Sequence, residues 1–311
     1  MKHKCILLLS LYSLNRLEEI SKLLNHIKYL DVDLSIGEHN RNSTSLLNFI
    51  NQYSNRIKNI NFHPNYGVDI APFIHQISKI NHEDYPYFIK LHSKESKWGG
   101  SFHVDWGSVL IDTYIGSLFN FDNNLKILKN KHIGMISHSF LKLKNKEGNN
   151  SNKINYLCSL LNIDYDKTKK GLFSAGSMFM SKTKIFQKYF NDKIDTLDIL
   201  LSNEIGKVHD GNSNTGTYCH SLERIFGYLI QNENLKIHGN ICKTIPIFNE
   251  QYKRLHLVIM YNNFCYLKED LNIYGNLIDN QQNNLKIQWL HLEDKPLIEY
   301  IIMNNKLMRK T

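Results

Sequence analysis

Apolar positions recur along the first ninety residues in two alternating rhythms. "CILLLSLY" (residues 5–12) is an unbroken apolar run, as buried parallel strands are, and Leu14, Leu17, Ile20, Leu24, Ile27 and Leu30 then recur at helical spacing. "DVDLSIGEHN" reads as a second strand ending at Gly37-Glu38, followed by an amphipathic helix marked by Leu46, Leu47, Ile50, Tyr53 and Ile57. "IKNINFHP" is a third strand, Ile70, Phe73, Ile74 and Ile77 mark a third helix, and "YPYFIKLHSK" is a fourth strand. This alternation predicts an α/β fold with a mostly parallel sheet flanked by helices. Ligands of such sheets sit beyond the carboxyl ends of the strands. Those ends carry Ser10 to Tyr12, Glu38 to Asn40, Asn65 to Asp69, and Lys90 to Lys94.

After Lys94 the rhythm is mixed. "KESKWGGSFHVDWG" reads as a loop, residues 107–129 as helical, and "HIGMISHSF" as a strand. The polar run "LKLKNKEGNNSNK" predicts a surface loop. "GLFSAGSMFMSKTKIFQKYF" predicts a strand turning into a helix capped by Ser181, and "GTYCHSLERIFGYLIQ" a second capped helix. From residue 246 the pattern weakens, which divides the chain into a main domain, 1–245, and a C-terminal extension, 246–311.

Composition narrows the function classes. A formal charge of +9 favours polyanionic partners: phosphates, nucleic acid or an acidic membrane face. Five cysteines without a CxxC pair fit buried thiols in a reducing compartment rather than a disulfide framework or a zinc site. Basic residues precede the first apolar run, as in a secretory signal. No small-residue cleavage site follows it, however, and Asn15, Arg16, Glu18 and Glu19 come directly after, so a strand is the better reading. No other stretch approaches the ~20 apolar residues of a spanning helix. These features predict a cytoplasmic protein, at most peripheral to the inner face of a membrane.

Several familiar sites are missing from the sequence. There is no GxxxxGK[ST], no GxGxxG after the first strand, no GxSxG elbow and no HExxH. What remains is a turn, "NYGVDIAPF", and the strand end "IKLHSKES" that follows it in the chain. Asn65, Gly67 and Asp69 suit a strand end and helix cap, with Gly supplying a positive φ and Asp the first-turn amides, or the lip of a ligand site. Lys90, His92 and Lys94 share one face by the period of two, a placement that calls for solvent or an anion.

"NYGVDIAPF", "IKLHSKES", "FSAGSMFM" and "GTYCHSLERIFGYL", in this order, resemble the rhamnan synthesis F family of bacterial polysaccharide glycosyltransferases, over roughly residues 5–235. The resemblance implies a GT-A-like transferase. Its donor would be a nucleotide-sugar, dTDP-L-rhamnose being favoured, and its acceptor a polyprenyl-linked or growing glycan of O-antigen, capsule or wall rhamnan. It assigns base and ribose binding to Leu11, Tyr12 and Glu38, and the nucleotide border to Asn65, Gly67 and Asp69. The fourth strand of such folds normally ends in an Asp-x-Asp that carries a divalent metal, and this chain has His92-Ser93-Lys94 there. Lys90, His92 and Lys94 would then meet the diphosphate directly, with no metal cofactor expected, although an acidic pair from elsewhere would leave room for Mn²⁺ or Mg²⁺.

Ser174, Ala175, Gly176 and Ser177 are small enough to let a sugar or acceptor approach the backbone, or to serve a tight crossing in the core. Arg224 belongs to that pocket or to a structural ion pair with Glu223. An inverting transfer needs a carboxylate to take the acceptor proton, and Asp210, Glu223 and Asp69 are the candidates. Residues 212–215 separate Asp210-Gly211 from the helix it adjoins in the family pattern, which weakens Asp210 and brings in His220 as a diphosphate or acceptor contact. Two rival readings are a nucleic-acid-binding protein and an inactive scaffold of the same fold. The scattered basic residues and the lack of an RNA-binding aromatic stripe weigh against nucleic acid.

Overall fold

The computed structural model describes residues 5–93, 106–138, 141–145, 147–204 and 216–240, together with strands between 273 and 309. The chain divides into two compact units, one of Met1–Glu95 and Thr113–Asn240, the other of Ser96–Asp112 and Ile241–Thr311.

The first unit is built on a seven-stranded sheet. Its first half is the predicted alternation: β1 (Cys5–Leu11), α1 (Leu17–His26), β2 (Asp31–Gly37), α2 (Thr44–Gln52), β3 (Ile57–His63), α3 (Ile70–Lys79) and β4 (Tyr87–His92). There follow in the chain α4 (Trp106–Ile115), of which the residues up to Asp112 belong to the second unit, and then α5 (Leu118–Leu128), β5 (Ile133–His138), β6 (Lys142–Lys144), α6 (Ser151–Leu160), α7 (Tyr165–Thr168), β7 (Leu172–Ser174) and β8 (Phe179–Lys182). The unit closes with α8 (Thr183–Phe190), α9 (Ile194–Ser202), α10 (Tyr218–Asn232) and β9 (Lys236–Asn240). Strand order is β3-β2-β1-β4-β8-β5-β9, and β8 alone runs antiparallel to its neighbours β4 and β5. The fold is therefore Rossmann-like, with a mostly parallel sheet. Strand order reverses at β1, whose two neighbours are β2 and β4, and such a switch point opens a crevice at the strands' carboxyl ends.

Burial explains the rhythm of the sequence. Ile6 and Leu8 face a core shared with α3, α6, α8 and α10, while Leu7 and Leu9, alternating with them, are equally buried, as in a strand covered on both faces. The centre of that core is aromatic: Phe73, Phe88, Phe179, Phe186 and Phe226 meet at ring separations of 5.2–5.8 Å. Edge-to-face pairs in this range add to the apolar area they bury.

Three local expectations are corrected. The "surface loop" at 141–153 contains β6, which pairs with β7, and runs into α6, whose Ile154, Leu157 and Cys158 reach the core. Glu147 from this segment accepts hydrogen bonds from Tyr228 and Tyr165, both at 2.7 Å, and so anchors α10. Ser181 caps nothing, since its hydroxyl is buried and donates to the Gly134 carbonyl at 2.7 Å. "FSAGSMFM" is two strands in two different sheets, joined by a turn with Gly176 at φ 81° and Ser177 at φ 50°.

Cys5, Cys158 and Cys219 are buried thiols, as expected, and Cys242 and Cys265 lie outside the described residues. No described helix is long and apolar enough to cross a membrane. In the second unit, β10 (Ile273–Ile278), β11 (Leu285–His291), β12 (Ile298–Met303) and β13 (Lys306–Arg309) form an antiparallel meander where the sequence pattern is weak.

Candidate functional site

The carboxyl ends of β1, β2 and β3 are tied together through Tyr12. Leu11 is buried, whereas Tyr12 is 47 % exposed. The Tyr12 carbonyl accepts hydrogen bonds from His39 Nε2 at 2.9 Å and Asn40 Nδ2 at 2.8 Å, and Asn65 Nδ2 donates to its hydroxyl at 2.9 Å. Glu38, beside them, is paired with Arg41 at 2.7 Å and is half exposed. Ser93, fully buried, closes the seam between β1 and β4. Its amide donates to the Ser10 carbonyl at 2.9 Å and its hydroxyl accepts from the Ser13 amide at 3.1 Å.

The turn after β3 needs its glycine. Gly67 sits at φ 65° and Val68 at φ 54°, and a Cβ on Gly67 would stand 2.4 Å from that of Ala71. The Gly67 carbonyl accepts from the Ile70 and Ala71 amides, so the turn is seated on the first turn of α3. Gly67→Ala is expected to cost about 1–3 kcal/mol, the strain of a non-glycine residue held at positive φ. Urea unfolding measures it.

Asp69 begins α3, but its side chain does not cap the helix as the sequence suggested. The carboxylate turns instead to Lys90, at 2.5 Å, and receives the Ser177 hydroxyl. Lys90 also donates to Ser177 Oγ at 3.2 Å, and its ammonium lies 5.4 Å from the centre of the Phe73 ring. The anion that Lys90 meets is thus part of the protein. Burial pushes the Asp69 carboxyl up, but the charges of Lys90 and His92 and the bonds from Lys90 and Ser177 outweigh it and hold it well below the usual carboxylate range. Burial pulls the Lys90 ammonium down while Asp69 opposes it, so the two persist as an ion pair.

His92 shares a face with Lys90, as the period of two predicts. Its Nε2 donates to the Gly176 carbonyl at 3.0 Å and lies 3.9 Å from Asp69. The amide of the same Gly176 donates to Glu223 Oε1 at 2.7 Å. The turn at 175–177 therefore joins β4, α3 and α10 at one place.

Glu223 stands on α10, whose amino end is capped by Thr217, accepting from the His220 amide at 3.2 Å. Burial, opposed by Arg224 and the Gly176 amide and reinforced by Asp69, pushes the Glu223 carboxyl up to about 7. Its side chain remains 13 % exposed. A buried carboxylate poised near neutrality is suited to taking up a proton.

The other candidates are placed less directly. His220 Nδ1 lies 2.9 Å from the Thr217 hydroxyl and so reinforces the cap. Arg224 is buried, donates to the His220 carbonyl at 2.7 Å and lies over the Phe173 ring, with Glu223 Oε2 3.9 Å away. Ser174 is buried between Ser137 Oγ at 2.8 Å and the Met178 carbonyl at 3.0 Å, and the Ala175 amide donates to the Leu141 carbonyl. These two residues shape the turn. Lys94 and Asp210 lie outside the described residues.

The structure thus brings together Asp69, Lys90, His92, Gly176, Ser177 and Glu223. The sequence had left them in three separate groups. It also adds His39 and Asn40, whose only sequence signal was their place at a strand end.

The model of the rhamnan synthesis protein F family matches residues 1–235. The chain belongs to that family. No curated protein matches it. Family membership ties the chain to rhamnan or polysaccharide synthesis, a transferase chemistry whose partners are a sugar donor and a glycan acceptor. All the residues brought together here fall inside the matched span.

Proposed function

We propose that this protein is an inverting, GT-A-like glycosyltransferase with Glu223 as its general base. The donor is a nucleotide-sugar, with dTDP-L-rhamnose favoured, and the acceptor a lipid-linked or growing cell-surface glycan such as O-antigen or capsule, reached from the inner face of the membrane. The observation that carries this reading is Glu223 itself, a carboxylate pushed up to about 7 and oriented by Gly176 at the carboxyl ends of the strands. Asp69 is the weaker base because Lys90 and Ser177 already hold its charge.

In the proposed step the acceptor hydroxyl oxygen attacks the anomeric carbon. The bond from that carbon to the diphosphate breaks, and the nucleoside diphosphate leaves with the electron pair. Glu223 Oε1 is engaged by the Gly176 amide, which leaves Oε2 to receive the acceptor proton. Charge growing on the diphosphate is met by His92 and, two residues on in sequence, Lys94, so that no catalytic metal is needed. The Asp69–Lys90 pair is internally neutral and serves to hold the strand end and the turn at 175–177 in register.

Tyr12, Glu38 and Asn65 take the nucleoside in this reading. The Glu38–Arg41 pair is exposed and contributes little to stability. Glu38→Ala is accordingly expected to leave the fold unchanged and to weaken donor binding by about 1–3 kcal/mol, the value of a hydrogen bond to a charged group. Calorimetric titration of the folded variant reads this directly, and unchanged donor affinity would remove Glu38 from the site.

Thermal unfolding across a panel of nucleotide-sugars, with and without Mn²⁺, tests the whole proposal, because a bound donor stabilises the folded state by mass action. A thymidine-diphosphate sugar should raise the midpoint without added metal. No shift with any nucleotide-sugar, alongside salt-sensitive binding of random oligonucleotides, would replace this reading with the nucleic-acid one.

A further inference from the structure

Beside the site lies a second cluster that the proposed reaction does not use. His63 ends β3, His75 projects from α3 and Asp198 from α9. One ligand atom from each lies within 4.8 Å of the other two, and this is the grouping with metal-ligand spacing found among the described residues. We propose that His63, His75 and Asp198 bind a divalent transition metal, Zn²⁺ by the chemistry of the donors.

The state of His63 carries the argument. Its Nδ1 is 2.7 Å from the Pro64 carbonyl, which can only accept, so Nδ1 bears the proton and the neutral ring presents a lone pair at Nε2. That Nε2 is buried and has no hydrogen-bond partner. A buried acceptor left unsatisfied carries a desolvation cost that a metal bond would offset. An imidazole whose other nitrogen donates to a backbone carbonyl is also the arrangement by which proteins fix a ligating histidine's tautomer and aim.

Asp198 is held in a similar way, since Tyr66 donates to its Oδ1 at 2.6 Å. His75 Nε2 lies 2.8 Å from the same oxygen. On binding, His75 would shift its proton from Nε2 to Nδ1, so that Nε2 coordinates and no net proton is released. Both His75 and Asp198 are 32 % exposed, which gives a cation a route in from solvent. Small side-chain rotations bring the three donors to the ~2 Å bonds of zinc, and two imidazoles with one carboxylate suit zinc better than magnesium or calcium. The metal would clip α9 to α3 and to the base of the turn at 64–69. This inference stands whichever reaction the neighbouring site performs.

The test uses the full chain, stripped with EDTA, desalted and titrated calorimetrically with ZnCl₂. One Zn²⁺ should bind per chain and raise the unfolding midpoint, and Co²⁺ in its place should give visible absorption from nitrogen and oxygen ligands. His63→Gln, His75→Gln and Asp198→Asn should each weaken Zn²⁺ binding by more than about 100-fold, exceeding the usual loss from second-shell changes. His132→Ala, at an exposed histidine elsewhere, should not. Because a variant can fail to fold, the ¹⁵N resonances of His63 and His75 in the wild type provide a second reading, and both should shift on Zn²⁺ addition. No stoichiometric binding, binding that survives all three substitutions, or unmoved His63 and His75 resonances would overturn the proposal and leave a hydrogen-bonded His–Asp–Tyr network.

Discussion

Glu223→Gln is expected to keep the fold and donor binding while lowering sugar transfer by about 10²–10⁴-fold, the share that general base catalysis supplies. Gln is close to Glu in shape, and its carbonyl can still accept from the Gly176 amide, so the turn at 175–177 stays in place. What is lost is the proton acceptor. The same substitution has an opposite effect on stability. Glu223 is an acid whose folded value, about 7, lies above its ordinary 4.5, so the folded state holds the proton more tightly. Its contribution to stability is therefore complete at low pH and falls as pH rises from 4.5 through 7, by on the order of 3 kcal/mol. Glu223→Gln should then be more stable than the wild type at pH ~8 and close to it at pH ~5, as read by urea unfolding at each pH. A loss of turnover with this gain in stability identifies a functional group maintained at a cost to the fold. A loss of both would assign Glu223 a packing role.

Lys90→Ala is the second large effect, here on folding. The Lys90 side chain is 1 % exposed and its partner Asp69 12 %. Removing the ammonium leaves a buried carboxylate with only the Ser177 hydroxyl and, 3.9 Å away, His92 beside it, and breaking such a pair costs about 3–5 kcal/mol. The double variant Asp69→Asn/Lys90→Met should recover much of that loss, because no charge is left unpaired. Denaturant unfolding of Asp69→Asn, Lys90→Met and the double variant against the wild type closes the cycle. Additive losses would show that the pair is not coupled. Since the Asp69 carboxyl is held low, its stabilisation is present above the ordinary 3.8 and is lost as pH falls through its folded value.

The parallel half of the sheet was legible because β1 is an unbroken apolar run, β2 to β4 are short apolar or alternating stretches, and the helices between them keep a helical spacing. Where the rhythm thins, so did the reading. In α6 only Ile154, Leu157 and Cys158 are buried, set among Ser, Asn and Lys, so a polar stretch concealed a core helix. Residues 107–129 are helical as read, and the spacing left open that they form two helices, the second capped by Ser117 accepting from the Asn120 amide. The candidate site was legible as residue types at strand ends, not as contacts. Asp69 and Ser177 are 108 residues apart and Gly176 and Glu223 are 47 apart, and no local pattern encodes which side chains a turn at positive φ will bring together. Lys90 shows the difference most sharply. The period of two placed it on the correct face, but only the fold reveals that its anion is Asp69. His63, His75 and Asp198 carry no motif spacing at all, since they come from three elements that meet only in the folded chain.

The pH dependence of kcat/KM for sugar transfer, measured in parallel for the wild type and Glu223→Gln, tests the central claim most directly, because it reports the essential base of the free enzyme. The wild-type rate should rise with pH through an apparent value near 7, where Glu223 loses its proton, and level off above it. The residual rate of Glu223→Gln should lack that rise. A wild-type profile that is flat across neutrality, or the same rise in both proteins, would contradict Glu223 as the base.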